Sequence, residues 1–374
     1  MRRKFILSTV GTSLLNNQIK TDANLKSIIL ATANLKEFEY SESDLDILKK
    51  IKDELFENIV KSSIDSIRKA SAELNGLLGF YDEGIEKGKN DVHFLLTTDT
   101  YQGKISAEIV QKYLFESNIS NVNILSIPDL TTKSKDDFSK GIKEILKWCD
   151  ENINNYKIAG YDIIFNLTGG FKSLQGYLNT ISMFYADKVI YIFESGRQLI
   201  EIPKLPIRVE TELFEQNVSI FAQLAADCFQ KRNSILQIPE TMLQDVDDEF
   251  VGLSDWGLLA WNTAKKEILS SKLIILPFLE YSDDFKKDFN KYTDSNYRIK
   301  LNETLAKISA KLQEKFDTSN LKKDHGLQYE KCKNKVFQNS PVDHFRIDEG
   351  NRASCCIVNN KMILIHHGFH DVCD

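Results

Sequence analysis

The sequence predicts an α/β protein that combines a doubly wound parallel sheet, a helical segment and a small α+β domain. In its first half, short apolar runs alternate with amphipathic stretches of helical period, which is typical of parallel strands joined by crossover helices. This alternation stops near residue 205, and short strands return only close to the C-terminal end. At 374 residues the chain is also too long for one ordinary hydrophobic core, so we expect two or three domains.

Residues 1–204 are predicted to form the parallel-sheet domain, because Pro203 and Pro206 break the chain at its end. Each predicted strand is a short apolar run, and each predicted helix carries its apolar residues on one face. The predicted strands are 5–10, 92–96, 122–127, 162–166 and 188–193, and the predicted helices are 45–74 (one or two helices), 104–115, 134–153 and 173–185.

Residues 205–271 are predicted to be a helical linker. A long helix is expected over 210–231, a second after Pro239, and a third over 254–269 with Ser254 as its N-cap. The pattern fits either an all-helical segment or a winged-helix-like one, and it carries no chemical signature.

Residues 272–374 are predicted to form a small α+β domain. A strand is expected over 273–281, followed by two amphipathic helices over 283–292 and 296–315. Three short strands then complete the domain, over 344–347, 352–358 and 362–366. Asn359 and Asn360 lie between the last two strands and indicate a tight hairpin turn.

The composition excludes several classes of protein. Hydrophobic residues make up 42% of the chain and charged residues 27%, with a formal net charge of −6, which is typical of a globular protein. No apolar run approaches the roughly 18 residues that a membrane-spanning helix needs, so we expect no membrane association. The N-terminal stretch is predicted to be a strand rather than a secretion signal, so we expect a cytoplasmic protein.

Three loops follow predicted strands and could hold an anionic ligand: residues 8–13, 97–103 and 166–173. Ligands of open α/β sheets bind beyond the carboxyl ends of the strands, where backbone amides are free. The third loop, Asn-Leu-Thr-Gly-Gly-Phe-Lys-Ser, combines flexible glycines, hydroxyls and a lysine. It lacks Walker and dinucleotide-binding spacing, which disfavours a hydrolytic NTPase or a dehydrogenase. The alternative is that its two glycines form only a tight strand-to-helix turn.

These three loops, in this order, resemble those of CARF domains, the CRISPR-associated Rossmann-like fold, and the resemblance covers about residues 1–200. It implies a homodimer that binds a cyclic oligoadenylate as its activator, most commonly cyclic tetraadenylate, with no other cofactor. The ligand-binding residues that it implies are Gly11, Thr12, Ser13, Thr98, Asp99, Thr100, Gln102, Thr168, Gly169, Gly170, Lys172 and Ser173.

The C-terminal end is the candidate effector, since five of the six histidines lie in the last 50 residues. Two common effector signatures are absent: an arginine followed by a histidine at the spacing of HEPN ribonucleases, and the Glu-x-Lys of metal-dependent nucleases. A zinc site built from His366, His370 and Cys373 is a less favoured alternative, because Gly368 weakens a helix there. We therefore expect no metal.

The predicted order of strand, two helices and antiparallel strands over residues 272–374 resembles the RelE/ParE toxin superfamily. The matching segments include His-Phe-Arg-Ile at 344–347, Gly-Asn-Arg-Ala at 350–353 and His-His-Gly-Phe-His at 366–370. Because CARF–RelE fusions exist as CRISPR-associated messenger-RNA interferases, the resemblance implies an endoribonuclease that cleaves messenger RNA on the ribosome. Asp348 stands where many relatives have a lysine, and their frequent C-terminal tyrosine is missing.

Metal-free RNA cleavage needs a base for the 2′-hydroxyl, cations at the scissile phosphate and an acid for the leaving oxygen. We predict that Arg346 and Arg352 clamp the phosphate and that His344, His367 and His370 are the candidates for proton transfer. We expect His325 and His366 to be structural. The alternative function is a ligand-responsive transcriptional or protein-binding regulator whose toxin-like domain is catalytically inactive.

Overall fold

The computed structural model describes residues 2–18, 22–193, 197–314 and 316–369. The chain divides into two compact units, Met1–Ile207 and Arg208–Asp374. None of the described helices is long and apolar enough to cross a membrane.

The first unit is built around a six-stranded sheet of order β3-β2-β1-β4-β5-β6, in which only β6 is antiparallel to its neighbour. Its strands are β1 (Lys4–Thr9), β2 (Val92–Thr97), β3 (Val122–Ser126), β4 (Asp162–Asn166), β5 (Lys188–Ile192) and β6 (Leu199–Pro203). Its helices are α1 (Ser13–Gln18), α2 (Ala23–Ala31), α3 (Glu42–Ile59), α4 (Ile64–Ala70), α5 (Ala72–Phe80), α6 (Tyr101–Glu116), α7 (Lys135–Ile158) and α8 (Lys172–Tyr185). The predicted doubly wound parallel sheet is confirmed.

The sequence analysis missed α1, α2 and β6 of this unit. It also predicted one or two helices over 45–74, where the structure has three, α3, α4 and α5. Helix α2 buries only Ile29, so its apolar period is weak. Strand β6 is an edge strand that ends at Pro203, a residue that lacks the amide needed inside a sheet.

The register of the sheet brings the three predicted loops to one edge. Ser8 near the end of β1 pairs with Leu95 of β2 on one side and with Asn166 of β4 on the other. Because all three strands run in the same direction, the loops that follow them emerge side by side.

The second unit contains a three-stranded sheet of order β7-β9-β8 and a five-stranded sheet of order β10-β14-β13-β12-β11. Its strands are β7 (Gln230–Lys231), β8 (Leu243–Asp245), β9 (Phe250–Leu253), β10 (Leu279–Tyr281), β11 (Glu330–Phe337), β12 (Ser340–Arg346), β13 (Asn351–Val358) and β14 (Lys361–Phe369). Its helices are α9 (Glu212–Gln216), α10 (Val218–Ala225), α11 (Asp255–Ser271), α12 (Asp283–Lys291), α13 (Ser295–Glu314) and α14 (Ser319–Lys322).

The three short strands exclude the all-helical alternative for residues 205–271. The single helix predicted over 210–231 is wrong, because Asn217 interrupts it and Asp227 follows α10 with a φ of 59°. The strand predicted over 273–281 is reduced to β10, since Phe278 has a φ of 64°. The helix that Ser254 caps is confirmed as α11.

The small α+β domain has the predicted two helices after β10 and antiparallel strands at the end, and it also contains the short helix α14, which was not predicted. Asn359 and Asn360 both have positive φ and form the predicted hairpin turn. Strand β11 was not predicted. Its turn into β12 is a second hairpin of the same kind, with positive φ at Gln338 and Asn339.

Residues of the predicted linker and of the C-terminal domain share one hydrophobic core in the second unit. Phe214, Phe221 and Trp261 from the linker belong to the same buried cluster as Leu301 of α13 and Phe345 of β12. Stacking of Phe221 on Trp261, with ring centroids 5.8 Å apart, anchors α10 against α11.

Asn302 of α13 attaches the end of α11 to this core. Its side chain is fully buried, its Oδ1 accepts from Ile274 N, and its Nδ2 donates to the carbonyls of Leu269 and Lys272.

We expect Asn302→Ala to lower the free energy of unfolding of this unit by about 3 kcal/mol, because buried backbone groups lose their partners. Urea titration of the full chain measures the loss. Asn296→Ala, at an exposed position on the same helix, is the control and should stay within about 0.5 kcal/mol of the parent. An equally small effect of Asn302→Ala would contradict this account.

Candidate functional site

A cleft of about 1080 Å³ lies at the carboxyl ends of the parallel strands in the first unit. All three predicted loops contribute to its lining. The predicted ligand-binding residues that line it are Gly11, Thr12, Ser13, Thr98, Thr100, Thr168, Gly169, Gly170 and Lys172.

Two glycines allow the loops after β1 and β4 to pack backbone against backbone. A Cβ atom added to Gly11 would lie 2.9 Å from the amide nitrogen of Gly170, and Gly170 itself has a φ of +89°. The hydroxyl of Thr9 donates to the carbonyl of Gly169 at 2.6 Å and fixes the turn from beneath. The Gly-Gly pair is therefore a tight strand-to-helix turn, and it also forms part of the cleft wall.

The side chain of Asn166 holds the third loop from inside the protein. Its amide nitrogen donates to Glu73 O at 3.0 Å, and its carbonyl oxygen accepts from the Thr168 hydroxyl at 2.8 Å. Asn166 is fully buried, so these hydrogen bonds form away from water. These hydrogen bonds therefore fix the conformation of the loop.

Three predicted ligand-binding residues do not line the cleft. Gln102 is fully buried and its amide donates to Ile29 O at 2.8 Å and to the Thr32 hydroxyl at 2.9 Å, so its role is to attach α6 to α2. Asp99 forms an ion pair with Lys36, with 2.7 Å between Oδ2 and Nζ. Ser173 is exposed on α8 outside the lining.

The sequence analysis missed a basic side of the cleft, formed by Arg68 and Lys69 of α4 and by Arg197 after β5. Two of these cations have carboxylate partners, since Arg197 pairs with Asp65 at 2.6 Å and Arg68 pairs with Glu83 at 3.5 Å. Arg68 is 9% exposed, and its Nη1 donates to Asn75 Oδ1 at 2.6 Å. The Nε of Arg68 is buried and has no partner among the described residues. Nothing in the sequence distinguished these residues from ordinary basic residues on a helix surface.

Lys172 completes the positive lining at the first turn of α8. No carboxylate in the described part of the chain lies within 4.0 Å of its Nζ, and the side chain is exposed. A cation without a partner at a helix N-terminus favours an anionic ligand.

Glu73 was also missed, and it lies directly behind this wall. Its side chain is 0% exposed, and the Ser13 hydroxyl donates to Oε2 at 3.4 Å. Its Oε1 is buried with no partner among the described residues. Burial raises the pKa of the Glu73 carboxyl to about 7, although the hydroxyls of Ser13 and Ser71 oppose the shift.

In the second unit, Arg346 and Arg352 form a cross-strand pair in the five-stranded sheet. Arg346 of β12 pairs with Arg352 of β13, and Arg352 pairs with Gly368 of β14. Residues paired across antiparallel strands point to the same face, so the two guanidinium groups are neighbours. Tyr292 fills the position that a side chain at Gly368 would take, since a Cβ atom added there would lie 2.6 Å from the Tyr292 hydroxyl.

Backbone oxygens position both arginines. Arg346 Nε donates to Asp348 O at 3.0 Å, and Arg352 Nη1 donates to the same oxygen at 3.1 Å. The Asp348 carboxylate accepts instead from the amides of Gly350 and Asn351. Burial and the nearby charge of Arg346 lower the pKa of Arg352. Two adjacent cations held in this way favour an anion between them.

The predicted histidines do not form one cluster. The register pairs His344 with Ser354 and Ser354 with His366, so strand alternation puts both histidines on the face of Arg346 and Arg352. His367 points to the opposite face, where it is 3% exposed and its Nδ1 lies 2.6 Å from the Tyr297 hydroxyl. Burial lowers the pKa of His367 to about 4.

The other candidate residues of the second unit are His325, His366, His370 and Cys373. His370 and Cys373 lie outside the described residues. His366 Nδ1 lies 2.9 Å from Asp288 Oδ2 at the edge of the sheet, and His325 is exposed. Glu330, which the sequence analysis missed, pairs across the strands with His344. Among the residues that the structure describes, no group of His, Cys, Asp and Glu is arranged to hold a metal ion.

The raised pKa of Glu73 predicts that the free energy of unfolding depends on pH. Its folded pKa of about 7 lies above the ordinary value of 4.5, so the contribution of Glu73 to stability is complete below pH 4.5 and is lost as pH rises through 7. We expect Glu73→Gln to raise the melting temperature at pH 8, equivalent to as much as about 3 kcal/mol, and to change it little at pH 4.5.

Differential scanning calorimetry at the two pH values measures this difference. The control is Glu116→Gln, which removes an exposed carboxylate paired with Lys112 on α6. A Glu73→Gln effect of equal size at both pH values would contradict the assignment of a buried, titrating carboxyl.

Comparison with known families relates the first unit to CRISPR systems. Residues 68–205 match the family model described as CRISPR-associated protein (Cas_APE2256). The matched segment begins in α4, includes the loops at 97–103 and 166–173, and ends after β6. The match supports a CRISPR-associated protein, which confirms that part of the prediction.

Proposed function

We propose that the chain is a ribonuclease that a cyclic oligoadenylate activates, with cyclic tetraadenylate as the activator, in CRISPR antiviral defence. The observation that carries the proposal is the cleft of the first unit. Its Gly-Gly turn suits a ligand with several phosphates, as does Lys172, which has no ion-pair partner among the described residues. Lys69 and the carboxylate-paired Arg68 and Arg197 add to the positive charge of the lining. The CRISPR-associated match over residues 68–205 supports the assignment to CRISPR defence.

The proposed active form is a homodimer. A cyclic ligand with repeated nucleotides presents the same groups in two directions, so two copies of one cleft could bind it around a two-fold axis. Binding would activate the enzyme if the active arrangement has the higher affinity for the ring.

The proposed catalytic surface is the face of the five-stranded sheet that carries Arg346 and Arg352. Their two guanidinium groups would bind the scissile phosphate and stabilise the negative charge that develops on its oxygens. His344 lies on the same face two residues from Arg346 and is the described candidate for proton transfer. His370, outside the described residues, remains a second candidate by resemblance.

The reaction proposed at this surface needs no metal. A base removes the proton of the 2′-hydroxyl, and the resulting oxygen attacks the adjacent phosphorus. The bond from phosphorus to the 5′-oxygen breaks as an acid protonates that oxygen, which leaves a 2′,3′-cyclic phosphate. Because the C-terminal domain has a net charge near zero, we propose that the ribosome positions the messenger RNA.

The alternative function, a nucleic-acid-binding regulator, has weaker support. It requires a basic recognition helix within residues 210–270. Lys231 pairs with Glu249, Arg232 with Asp245, and the nearly buried Lys265 with Glu303. These cations are therefore engaged within the protein.

The test is cleavage of a reporter messenger RNA in a translating extract, with and without cyclic tetraadenylate. We expect cuts that require both the ligand and ribosomes.

Arg352→Gln should reduce the cleavage rate about hundredfold without weakening ligand binding, since it removes a donor to the transition state. Lys172→Gln should weaken ligand binding and shift activation to higher ligand concentration.

Lys286→Gln, at an exposed site on α12, is the matched control and should cleave like the parent. Intact RNA under all conditions, with the ligand shown to bind, would refute the ribonuclease and favour the regulator. Failure of the ligand to bind would refute the proposed activation.

A further inference from the structure

The proposed function leaves one buried group beside the cleft unexplained. Glu73 is an acid with no solvent exposure, and it lies behind a wall built to receive an anion. A Cβ atom added to Gly169 would lie 2.7 Å from Glu73 Oε2, so only the glycine backbone separates the carboxyl from that part of the lining. An ionised Glu73 would repel the phosphates that Lys172 and Arg68 attract.

We propose that Glu73 takes up a proton when an anionic ligand binds, and that the neutral carboxyl then orients the Ser13 hydroxyl as a donor to a ligand phosphate. Glu73 is in this view a positioning residue that acts through Ser13. The inference rests on the proposed function, since it needs a phosphate-bearing ligand in this cleft.

The hydrogen bonds of Ser13 supply the mechanism. Its Oγ accepts from the amide of Ala72 at 3.3 Å and lies 3.4 Å from Glu73 Oε2. An ionised Glu73 can only accept, so it uses the single hydroxyl proton of Ser13. A protonated Glu73 can donate to Ser13 instead, which frees the hydroxyl proton to point into the cleft that Ser13 lines.

The groups around Glu73 favour this reversal of donor and acceptor between Ser13 and Glu73. The side chains of Ser13 and Ser71 contact the carboxyl, while Asn166 from β4 binds the Glu73 backbone carbonyl. The proton must sit on Oε2, the oxygen 3.4 Å from Ser13 Oγ, because a proton on Oε1, which has no partner among the described residues, would leave Ser13 as the donor. The charged groups that line the adjoining cleft are Asp65, Arg68, Lys69, Lys172 and Arg197.

The direction in which ligand affinity changes with pH follows from the pKa of Glu73. With a pKa of about 7 in the free protein, Glu73 is mostly protonated at pH 6 and mostly ionised at pH 8. Binding that requires the neutral form is therefore about tenfold weaker at pH 8 than at pH 6. Proton uptake on binding should approach one at pH 8 and be small at pH 6.

The experiment is calorimetric titration of the full chain with cyclic tetraadenylate at pH 8, in Tris and in HEPES. These buffers differ in ionisation enthalpy, so the difference between the observed heats gives the number of protons taken up. We expect nearly one proton per Glu73 in the parent protein. Glu73→Gln, whose amide always donates, should take up none, bind about as tightly at pH 8 as at pH 6 and exceed the parent affinity at pH 8.

Glu116→Gln is the control and should keep the proton uptake of the parent. Binding of the ligand by the parent without proton uptake, or uptake that persists in Glu73→Gln, would overturn the role of Glu73 while leaving the proposed function intact. No binding by the parent at either pH would instead overturn the proposed function, and this inference with it.

Discussion

The contact between two backbone turns, one after β1 and one after β4, is the constraint on which the first unit's cleft depends. Gly11 and Gly170 meet where neither can carry a side chain, and Thr9 and Asn166 fix the turns from below. These contacts fix the shape of the two loops, so we expect ligand binding to order them little. A site prepared in this way loses less conformational entropy on binding and can use more of its contacts for affinity.

Charge is arranged differently in the two units. In the first, basic residues from α4, α8 and the segment after β5 line a cleft together with Asp65, and burial raises the pKa of Glu73 behind it. In the second, backbone carbonyls hold Arg346 and Arg352 together on one sheet face, and no ion pair to a carboxylate is found for either within the described residues. Cations that backbone oxygens position keep their full charge for a ligand, which suits phosphate chemistry.

The sequence predicted the parallel sheet and its loops well, because buried strands are short apolar runs and tight turns need glycine. It could not reveal Arg68 or Glu73, which occupy unremarkable helical positions and reach the cleft only through the packing of α4 and α5. Gln102 was misplaced because its loop faces the cleft while its side chain turns inward to α2. His367 was expected beside the arginines, but the hairpin register, which sequence does not determine, puts it on the helix-facing side of the sheet.

The central claim is that the cleft of the first unit holds a cyclic oligoadenylate, and photo-crosslinking tests it most directly. The full chain would be irradiated with cyclic tetraadenylate carrying an azido group on its adenines, and modified peptides identified by mass spectrometry. The account predicts crosslinks within residues 8–17, 65–75 and 166–175, all suppressed by excess unmodified ligand. Crosslinks confined to residues 208–374, or crosslinks that the unmodified ligand does not suppress, would contradict it.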